Sequence, residues 1–320
     1  MQAVILAAGN GNRLKPFTLS RSKAMAPLLG RPIVSKVFEN IYSAGIRNFV
    51  IVIGPNDTPL KNYFISSEFK SAYFDVILEF AVQEKRLGTA HALSCAKKHI
   101  SQPFVLSACD SLYKPGMIAD FVLTHTEQGR KGTLALQEVD ESRFSRTGIV
   151  GFDENGFINR IIEKPSPEEA PSHMASLPLY IFEPEIMDFL HLVPLSKRGE
   201  YELQDAIQLF INKFGSLAKF VTNYRLELTS PDDLLNLNIK LLQEDFPQSK
   251  IAQDIPLSCK IVAPVFISKD VEIGENCIIG PNVFLESGAK VESNCVISNS
   301  IVLAGGVVAG GSNLSNEVVL

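Results

Sequence analysis

The first 245 residues alternate short apolar runs with segments that have the spacing of amphipathic helices. Buried parallel strands have continuous apolar runs of this kind, and helices cover both faces of such sheets. The strands predicted on this basis are Ala3–Ala7, Asn48–Ile53, Val76–Phe80, Phe104–Ser107 and Gly132–Gln137. Helices are predicted over Pro32–Ala44 and Thr89–His99. The pattern therefore predicts an α/β domain with a mainly parallel sheet.

A β-rich segment follows within the same region. Apolar runs at Ile149–Phe152 and Ile158–Ile162 flank the polar sequence Asp153–Gly156. Asp, Asn and Gly are the residues that tight turns between antiparallel strands prefer. We therefore expect a β-hairpin across this segment.

From residue 255 onward, the apolar pattern has a period of six residues. One register consists of Ile255, Ile261, Ile267, Ile273, Ile279, Leu285, Val291, Ile297 and Leu303. A second register lies four residues after each of these, at Cys259, Val265, Val271, Cys277, Val283, Ala289, Cys295, Ile301 and Val307. A six-residue repeat is the sequence signature of a parallel β-helix, in which three repeats complete one coil and the residues of both registers are expected to point inward. The three cysteines are then expected to stack in the core as small apolar residues rather than as metal ligands.

Composition and charge exclude some classes of protein. The 320 residues are 46% hydrophobic and 20% charged, which is ordinary for a globular chain of two domains. A net charge of -5 and a pI of about 5.6 disfavour a nucleic-acid partner. No apolar run reaches the ~20 residues that span a membrane, and Met1–Leu6 is interpreted as a buried strand rather than a secretion signal. The five cysteines contain no Cys-x-x-Cys pair, so a reducing cytoplasm is the expected compartment.

The first predicted strand leads directly into a glycine-containing loop, Leu6–Leu14. Small residues let backbone N–H groups approach an anion closely, and the cations of Arg13 and Lys23 can pair with phosphates. The loop also follows the carboxyl end of a strand, where α/β proteins bind ligands. It lacks the Gly-Lys-Ser/Thr ending of a Walker A motif and the third glycine of the dinucleotide-binding motif. These residues alone predict phosphate binding, with a plain glycine turn as the alternative.

The longer stretch ILAAGNGNRLKPFTLSRSKAMAPLLGRP, from Ile5 to Pro32, resembles the signature of sugar-1-phosphate nucleotidyltransferases. The matching residues in it are Arg13, Pro16, Thr18, Lys23 and Pro27. Further elements follow in the family's order, namely Gln83–Ala90 with its Gly-Thr-Ala, the strand Val105–Asp110 that ends in an acid, and Glu163–Pro165. Many members of this family also carry a C-terminal hexapeptide β-helix, so the resemblance covers nearly the whole chain.

This resemblance implies a three-layer, Rossmann-like nucleotide-diphospho-sugar transferase fold for residues 1–245 and a short left-handed parallel β-helix for residues 255–320. The implied reaction transfers a nucleotidyl group from a nucleoside triphosphate to a sugar 1-phosphate and releases pyrophosphate, with Mg²⁺ as cofactor. UTP is the first choice of nucleotide, and dTTP and GTP stay open. The implied sugar is glucose, N-acetylglucosamine or a related hexose.

The resemblance also implies a role for each site residue. Arg13 and Lys23 would hold the triphosphate as catalytic residues, and Asp110 would bind Mg²⁺ with Glu227 as its second ligand. The nucleotide would be bound by Leu6, Ala8, Gly9, Gly11, Gln83, Gly88 and Thr89. The sugar phosphate would be bound by Gly148, Glu163, Lys164 and Ser176. Taken singly, the acids also have plain structural interpretations, as a helix cap at Asp110 and a solvated ion pair at Glu163.

The sequence departs from the family pattern at several of these positions. Ser22 stands before Lys23 where proline is usual, and Cys109 stands before Asp110 where glycine or alanine is usual. Ser176 and Pro178 replace the asparagine and the glycine of an Asn-x-Gly-x-Tyr element. Glu227 replaces an aspartate and adds one methylene to the second metal ligand. These departures put the choice of sugar and the strength of the metal site in question.

Two other functions stay open. A non-catalytic regulatory or scaffold paralogue of the same fold is one, although the phosphate-handling side chains of the family are all present. An additional acetyltransferase activity is the other, and it is disfavoured because the five histidines all lie before the β-helix, and acyl transfer normally uses a histidine base. The β-helix is instead interpreted as a structural module that could join identical chains into a homo-oligomer.

Overall fold

The computed structural model describes all 320 residues, which form two compact units. The first unit consists of Met1–Asn10 and Val34–Leu226, and the second consists of Gly11–Ile33 and Glu227–Leu320. The loop that follows the first strand therefore packs with the C-terminal region. No helix is long and apolar enough to cross a membrane.

The first unit is built on a nine-stranded sheet with helices between its strands. Its strands are β1 Gln2–Leu6, β2 Asn48–Ile53, β3 Ile77–Val82, β4 Phe104–Ala108, β5 Gly132–Glu138, β6 Gly148–Phe152, β7 Ile158–Glu163, β8 Met174–Phe182 and β9 Ala218–Val221. The α-helices of the chain are α1 Ile33–Ser43, α2 Thr58–Ile65, α3 Ser67–Ala72, α4 Thr89–Ser94, α5 Met117–Gln128, α6 Leu203–Phe214 and α7 Pro231–Asp245. Short 3₁₀ turns lie at Asn12–Leu14, Phe17–Leu19, Lys23–Met25, Lys97–His99, Glu141–Arg146, Pro184–Asp188 and Leu190–Leu192.

The sheet is mixed rather than mainly parallel. Strands β4, β1, β2 and β3 are neighbours in that order and run parallel, and β9 runs parallel to β5. Strand β8 is antiparallel to β4, β5 and β6, and β6 forms the predicted hairpin with β7. The prediction of a mainly parallel sheet is thus right for the first half of the unit only, because β8 reverses the direction of the sheet.

The predicted elements agree with the structure to within a few residues. Strand β2 has the predicted bounds, and the other four apolar runs form β1, β3, β4 and β5. The helix predicted over Thr89–His99 ends earlier, at Ser94, and a 3₁₀ turn covers Lys97–His99. The core of the sheet is fully buried at Val4, Val52 and Leu106, as continuous apolar runs require.

The C-terminal part of the second unit is a parallel β-helix made of very short strands. They are Lys250–Ile251, Lys260–Ile261, Val265–Ile267, Glu272–Ile273, Ile278–Ile279, Val283–Leu285, Lys290–Val291, Val296–Ser298, Ser300–Val302, Val307–Val308, Asn313–Ser315 and Val318–Val319. These strands form three parallel sheets, and Val265 pairs with Val283 one coil later. Cys277 and Cys295 are fully buried in the shared apolar core, and Cys259 packs against it from a partly buried position, as expected for small core residues.

The six-residue register does not extend through the last coil. Leu285 pairs with Val302, not with Leu303, and Val291 pairs with Val308. The repeat after Ile297 is therefore one residue shorter than the others. The predictions that Ile301, Leu303 and Val307 point inward are wrong. The pattern concealed this shift because Val302 and Leu303 are both apolar, and so are Val307 and Val308.

The side chain of Asn238 in α7 makes hydrogen bonds to the hairpin at Pro27–Leu29, which follows Lys23. Its side chain is fully buried, and its Nδ2 donates to the carbonyl oxygens of Pro27 at 3.0 Å and Leu234 at 2.8 Å. Its Oδ1 accepts a hydrogen bond from the N–H of Leu29 at 2.9 Å. Leu29 has a positive φ of 49°, so this amide fixes a turn whose backbone conformation is unfavourable for leucine. The helix thereby anchors the segment that carries Lys23.

We predict that Asn238→Ala lowers the free energy of unfolding by about 3 kcal/mol, because two buried backbone groups of the hairpin lose their partner. The midpoint of thermal unfolding should fall by roughly 5–10 °C. Asn236→Ala, at an exposed position on the same helix, is the matched control and should leave the midpoint unchanged. Equal midpoints for the two variants would contradict the anchoring role of Asn238.

Candidate active site

The carboxyl ends of β1 and β4 bring two predicted site segments to one edge of the sheet. Leu6 pairs with Ala108, and the N–H of Cys109 donates to the carbonyl oxygen of Leu6 at 3.1 Å. Asp110 follows directly and is half-buried, and the Ser111 hydroxyl donates to its Oδ1 at 3.4 Å. The start of the glycine loop and the acid thus lie at adjacent strand ends, where ligands of α/β proteins bind.

In the second unit, the side chains of Thr18 and Lys23 pack against Gly11 of the glycine loop. It has a φ of 59°, and its carbonyl oxygen accepts a hydrogen bond from the Thr18 hydroxyl at 2.9 Å. A Cβ at this position would lie 2.8 Å from Thr18 Cγ2 and 3.0 Å from Lys23 Cβ. The absence of a side chain therefore lets Thr18 and the stem of Lys23 close onto the loop, as the spacing of the signature requires.

Arg13 lies in the 3₁₀ turn Asn12–Leu14 of the same loop. Leu14 is fully buried and fixes the turn, whereas the Arg13 side chain is exposed. No hydrogen bond or ion pair engages its guanidinium in the structure. A cation held on a fixed turn without a protein partner is available for an anionic ligand.

Gln83 and Gly88 form the predicted base-reading segment in the first unit. Gln83 is only 3% exposed, and its Nε2 donates to the carbonyl oxygen of Gly88 at 3.1 Å. Gly88 has a φ of 101°, and a Cβ there would lie 2.6 Å from the carbonyl oxygen of Tyr201. Thr89 follows, and its hydroxyl accepts a hydrogen bond from the N–H of Leu203 at 3.2 Å. Gly88 and Thr89 therefore have structural duties at this position, and their contact with a nucleotide stays a prediction.

Arg86 is a residue of this segment that sequence reasoning missed. Its Nε donates to the carbonyl oxygen of Ala8 at 2.7 Å, so it braces the start of the glycine loop. A Cβ on Gly54, which follows β2, would lie 2.6 Å from its guanidinium. The pairing of a loop arginine with a glycine at the end of a neighbouring strand becomes visible only when the strand order is known.

The predicted sugar-phosphate residues Gly148, Glu163, Lys164 and Ser176 do lie together in the first unit. Gly148 pairs with Glu163 across the hairpin, and a Cβ on Gly148 would lie 3.3 Å from Glu163 Oε2. Lys164 adopts a positive φ of 50°, and its Nζ lies 3.4 Å from Glu163 Oε1. Gly148 therefore faces the side chains of Gln204 and Glu163, and the Glu163 carboxylate in turn lies beside the Lys164 cation.

Two side-chain oxygens in this part of the first unit are buried without a hydrogen-bond partner, Glu163 Oε2 and Ser176 Oγ. Orphaned polar atoms of this kind are rare in folded proteins, and a polar ligand or a water molecule can complete their hydrogen bonding. Burial raises the pKa of Glu163 above its usual range, while the Lys164 ammonium and the Arg198 guanidinium oppose that shift. Glu163 thus combines one oxygen near two cations with one buried oxygen that has no partner.

Arg198 is the second residue that sequence reasoning missed. Its guanidinium lies 2.6 Å from Glu202 Oε1 and 3.5 Å from Glu163 Oε1, so it joins the two acids. Burial also raises the pKa of Asp205, and the nearby Glu202 adds to the shift. The signal available in the sequence was the Arg-Gly-Glu segment that begins at Arg198, shortly before α6, and no role was assigned to it from the sequence.

Pro178 interrupts the pairing of β8. Ser176 pairs with Leu136 and Tyr180 pairs with Leu134, so four steps along β8 oppose two along β5. Proline has no N–H for the ladder, and irregular strands often occur beside binding sites. The irregular pairing therefore lies next to the orphaned Ser176 hydroxyl.

The metal-binding residues were predicted as Asp110 in the first unit and Glu227 in the second. The structure groups no three His, Cys, Asp or Glu side chains in a metal-binding arrangement. Mg²⁺ fits a sparser donor set, because it keeps several waters and binds one or two carboxylates together with substrate phosphates. The half-buried Asp110, next to the glycine loop, offers the hard oxygen donors that this ion prefers. Shared ligation by Asp110 and Glu227 stays a prediction.

An α/β sheet with a glycine-containing loop at the carboxyl end of its first strand is typical of nucleotide-binding proteins. The chain belongs to the nucleotidyl transferase family, whose model matches residues 2–244. A second model, the GMPPB C-terminal domain, matches residues 261–319. The predicted family, fold class and enzyme class, a sugar-1-phosphate nucleotidyltransferase, are thereby confirmed.

Individual relatives agree with this assignment. The chain is 34% identical over 245 residues to the UTP–glucose-1-phosphate uridylyltransferase AglF of Haloferax volcanii, covering 76% of this chain and 98% of that protein. It is 31% identical over 274 residues to the bifunctional protein GlmU of Methanococcus maripaludis, covering 85% of this chain but only 62% of that protein. A crystal structure of UDP-glucose pyrophosphorylase complexed with UDP-glucose shares the fold, with a TM-score of 0.69, 22% identity, and coverage of 76% of this chain and 98% of that one.

We predict that Glu163→Gln raises stability at neutral pH, because it removes a charge whose burial is unfavourable. Since the folded-state pKa of Glu163 is raised, its penalty is absent below the usual value of 4.5 and develops as pH rises through the folded-state pKa. The thermal midpoints of variant and wild type should therefore coincide at low pH and separate as pH increases. Glu154→Gln, in the exposed hairpin turn, is the control and should follow wild type. A midpoint difference independent of pH would contradict this account.

Proposed function

We propose that the chain transfers a uridylyl group from UTP to a hexose 1-phosphate, with glucose 1-phosphate as the first candidate. The family assignment gives the class of reaction, and the UTP–glucose-1-phosphate uridylyltransferase activity of the AglF relative supports UTP and glucose 1-phosphate as substrates. The observation that carries the proposal is the cluster of Gly148, Glu163 and Lys164, where one buried carboxylate oxygen of Glu163 lacks a partner and the other lies near a cation. A sugar phosphate offers a hydroxyl donor for that oxygen and a negative charge for that cation.

The proposed chemistry is a single displacement at phosphorus. A phosphate oxygen of the sugar 1-phosphate forms a bond to the α-phosphorus of the triphosphate. The bond from that phosphorus to the bridging oxygen of the β-phosphate breaks, and pyrophosphate leaves with the electron pair. Such a transfer depends mainly on alignment and on neutralised charge, with no covalent enzyme intermediate.

The residues of the chain divide this work between two substrates. Arg13 and Lys23 neutralise the triphosphate, and the backbone of Ala8 and Gly9 leaves room for the nucleotide. Lys164 and Arg198 neutralise and orient the incoming sugar phosphate, and Glu163 accepts a hydrogen bond from a sugar hydroxyl. Leu6, Gly11, Gln83, Gly88 and Thr89 complete the proposed nucleotide site, and Ser176 completes the proposed sugar site.

We also propose that Asp110 and Glu227 hold Mg²⁺. When bound, Mg²⁺ supplies charge neutralisation at the phosphates. Glu227 carries one methylene more than the aspartate it replaces, and we propose that it retains ligation through a small shift of its longer side chain.

The proposed setting is a cytoplasmic homo-oligomer. None of the five cysteines forms a disulfide, which fits a reducing compartment. Ile278 and Val296 are neighbours on adjacent coils of the β-helix, and they are 40% and 39% exposed on its outer face. A second copy of the chain could cover these side chains, and sedimentation of the wild type beside Ile278→Glu would test this assembly.

We predict that Arg13→Ala reduces pyrophosphate release at least 100-fold while the fold persists, because it removes a cation that stabilises transferring phosphate charge. The assay uses Mg²⁺, four nucleoside triphosphates and several hexose 1-phosphates, with UTP and glucose 1-phosphate expected to give the strongest signal. Lys269→Ala, at an exposed site on the β-helix, is the control because it also removes one cation, and it should keep full activity.

Unchanged turnover in Arg13→Ala would contradict the assigned role of the loop. Silence of the folded wild type across the whole matrix would favour the non-catalytic paralogue. Acetylated product from acetyl-CoA and an amino sugar phosphate would instead establish the disfavoured second activity.

We predict that EDTA abolishes pyrophosphate release and that added Mg²⁺ restores it. Asp110→Asn should raise the Mg²⁺ concentration needed for half-maximal rate by about 10-fold or more, because an amide is a weaker ligand for a hard cation. Asp120→Asn, exposed on α5, serves as control and should keep the wild-type requirement. An unaltered Mg²⁺ dependence in Asp110→Asn would rule out ligation by that residue.

A further inference from the structure

Both amide hydrogens of Gln83 are used within the protein. Its Nε2 lies 3.1 Å from the carbonyl oxygen of Gly88 and 3.1 Å from Nδ1 of His91. A carbonyl oxygen only accepts hydrogen bonds, so the amide atom that faces Gly88 must be the NH₂ group. A reversed amide would place two oxygens against each other. The orientation of the Gln83 side chain is therefore determined by its neighbours.

This arrangement also determines the proton position on His91. Since Nε2 of Gln83 donates, Nδ1 of His91 must be the accepting nitrogen, and a neutral ring then carries its proton on Nε2. His91 lies in α4, within the Gly-Thr-Ala-His sequence that begins at Gly88. The ring and the Gly88 carbonyl thus bind the two hydrogens of one amide.

The oxygen of the same amide is left for a ligand. No hydrogen bond engages Gln83 Oε1 in the structure, although the residue as a whole is only 3% exposed. Oε1 can only accept a hydrogen bond, so it favours a base that presents a ring N–H on its Watson–Crick edge. Uracil, thymine and guanine present such a donor, whereas cytosine and adenine present an unprotonated ring nitrogen there.

We propose that His91 is a positioning residue that fixes the Gln83 amide, so that Gln83 Oε1 selects nucleotides whose base carries a ring N–H. His91 does not itself contact the base. The inference rests on the proposed nucleotide site for its location, and it adds a physical reason for discrimination between UTP and CTP. Without His91, one N–H of the amide loses its partner, and only the Gly88 carbonyl opposes reversal. A reversed amide would offer an N–H to cytosine.

The test is a calorimetric titration of the full chain with UTP and with CTP in the presence of Mg²⁺. His91→Leu removes the acceptor and keeps an apolar side chain of similar size. His91→Asn keeps an acceptor oxygen at the same distance from the backbone as Nδ1. We expect His91→Leu to weaken UTP binding by about 10-fold, the effect of one lost hydrogen bond, and to reduce the UTP-to-CTP affinity ratio by a similar factor. His91→Asn should recover most of that ratio.

The affinity ratio separates positioning from a merely structural role. Equal losses of UTP and CTP affinity in His91→Leu, an unchanged ratio, or failure of His91→Asn to recover the ratio would overturn the inference. His91→Phe, which keeps a ring without an acceptor, replaces His91→Leu if that variant does not fold, and the same ratio decides.

The titration measures nucleotide binding without turnover, so its results can contradict the His91 proposal and the proposed function independently. A wild type that binds UTP in preference to CTP but releases no pyrophosphate overturns the proposed function and still permits the His91 comparison. A wild type that releases pyrophosphate from UTP but shows the same ratio as His91→Leu overturns only the role of His91. A wild type that binds no nucleotide overturns both.

Discussion

The close backbone contact between Gly88 and Tyr201 connects the two halves of the site in the first unit. The Ala90 N–H donates to the Tyr201 carbonyl oxygen at 3.0 Å, and the Tyr201 N–H donates to the Leu87 carbonyl oxygen at 2.8 Å. A side chain on Gly88 would occupy the same space as these atoms. The segment that carries Gln83 is therefore fixed directly to the chain that carries Arg198 and Glu202, so the proposed nucleotide site and the proposed sugar-phosphate site share one close backbone contact.

Near the proposed sugar-phosphate site, buried carboxylates lower the stability of the folded protein. Glu163, Glu202 and Asp205 lie close to one another, and Arg198 and Lys164 compensate only part of their charge. Replacing such buried charges with neutral groups often stabilises a protein. In the proposed sugar site, a hydroxyl group of the ligand would satisfy the orphaned oxygen of Glu163.

Apolar periodicity predicted the elements well, since strands buried on both faces leave little ambiguity in sequence. It predicted β2 with its exact bounds and the hairpin of β6 and β7 closely, but it did not predict the reversal at β8, because strand direction leaves no periodic signal. The β-helix register failed after Ile297, where adjacent apolar residues hid a missing position. The family motifs identified Gln83 and Glu163 as candidates from the sequence. Arg86 and Arg198 contact residues that are distant in sequence, and the proposed role of His91 depends on the orientation of the Gln83 side chain. The spacing of motifs reveals neither.

The glycines of the family signature carry less functional information than their place in the motifs suggests. At Gly11 and Gly88 the backbone has a positive φ and an added Cβ would lie within 2.8 Å of protein atoms, so packing alone already disfavours other residues there. Arg13 differs from these glycines because packing does not constrain it. Its side chain is exposed and lies on a turn that is fixed by Leu14. A protein that kept this fold without its chemistry would still need the glycines but not the arginine. The presence of Arg13 is therefore a stronger argument for catalysis than the glycine pattern that surrounds it.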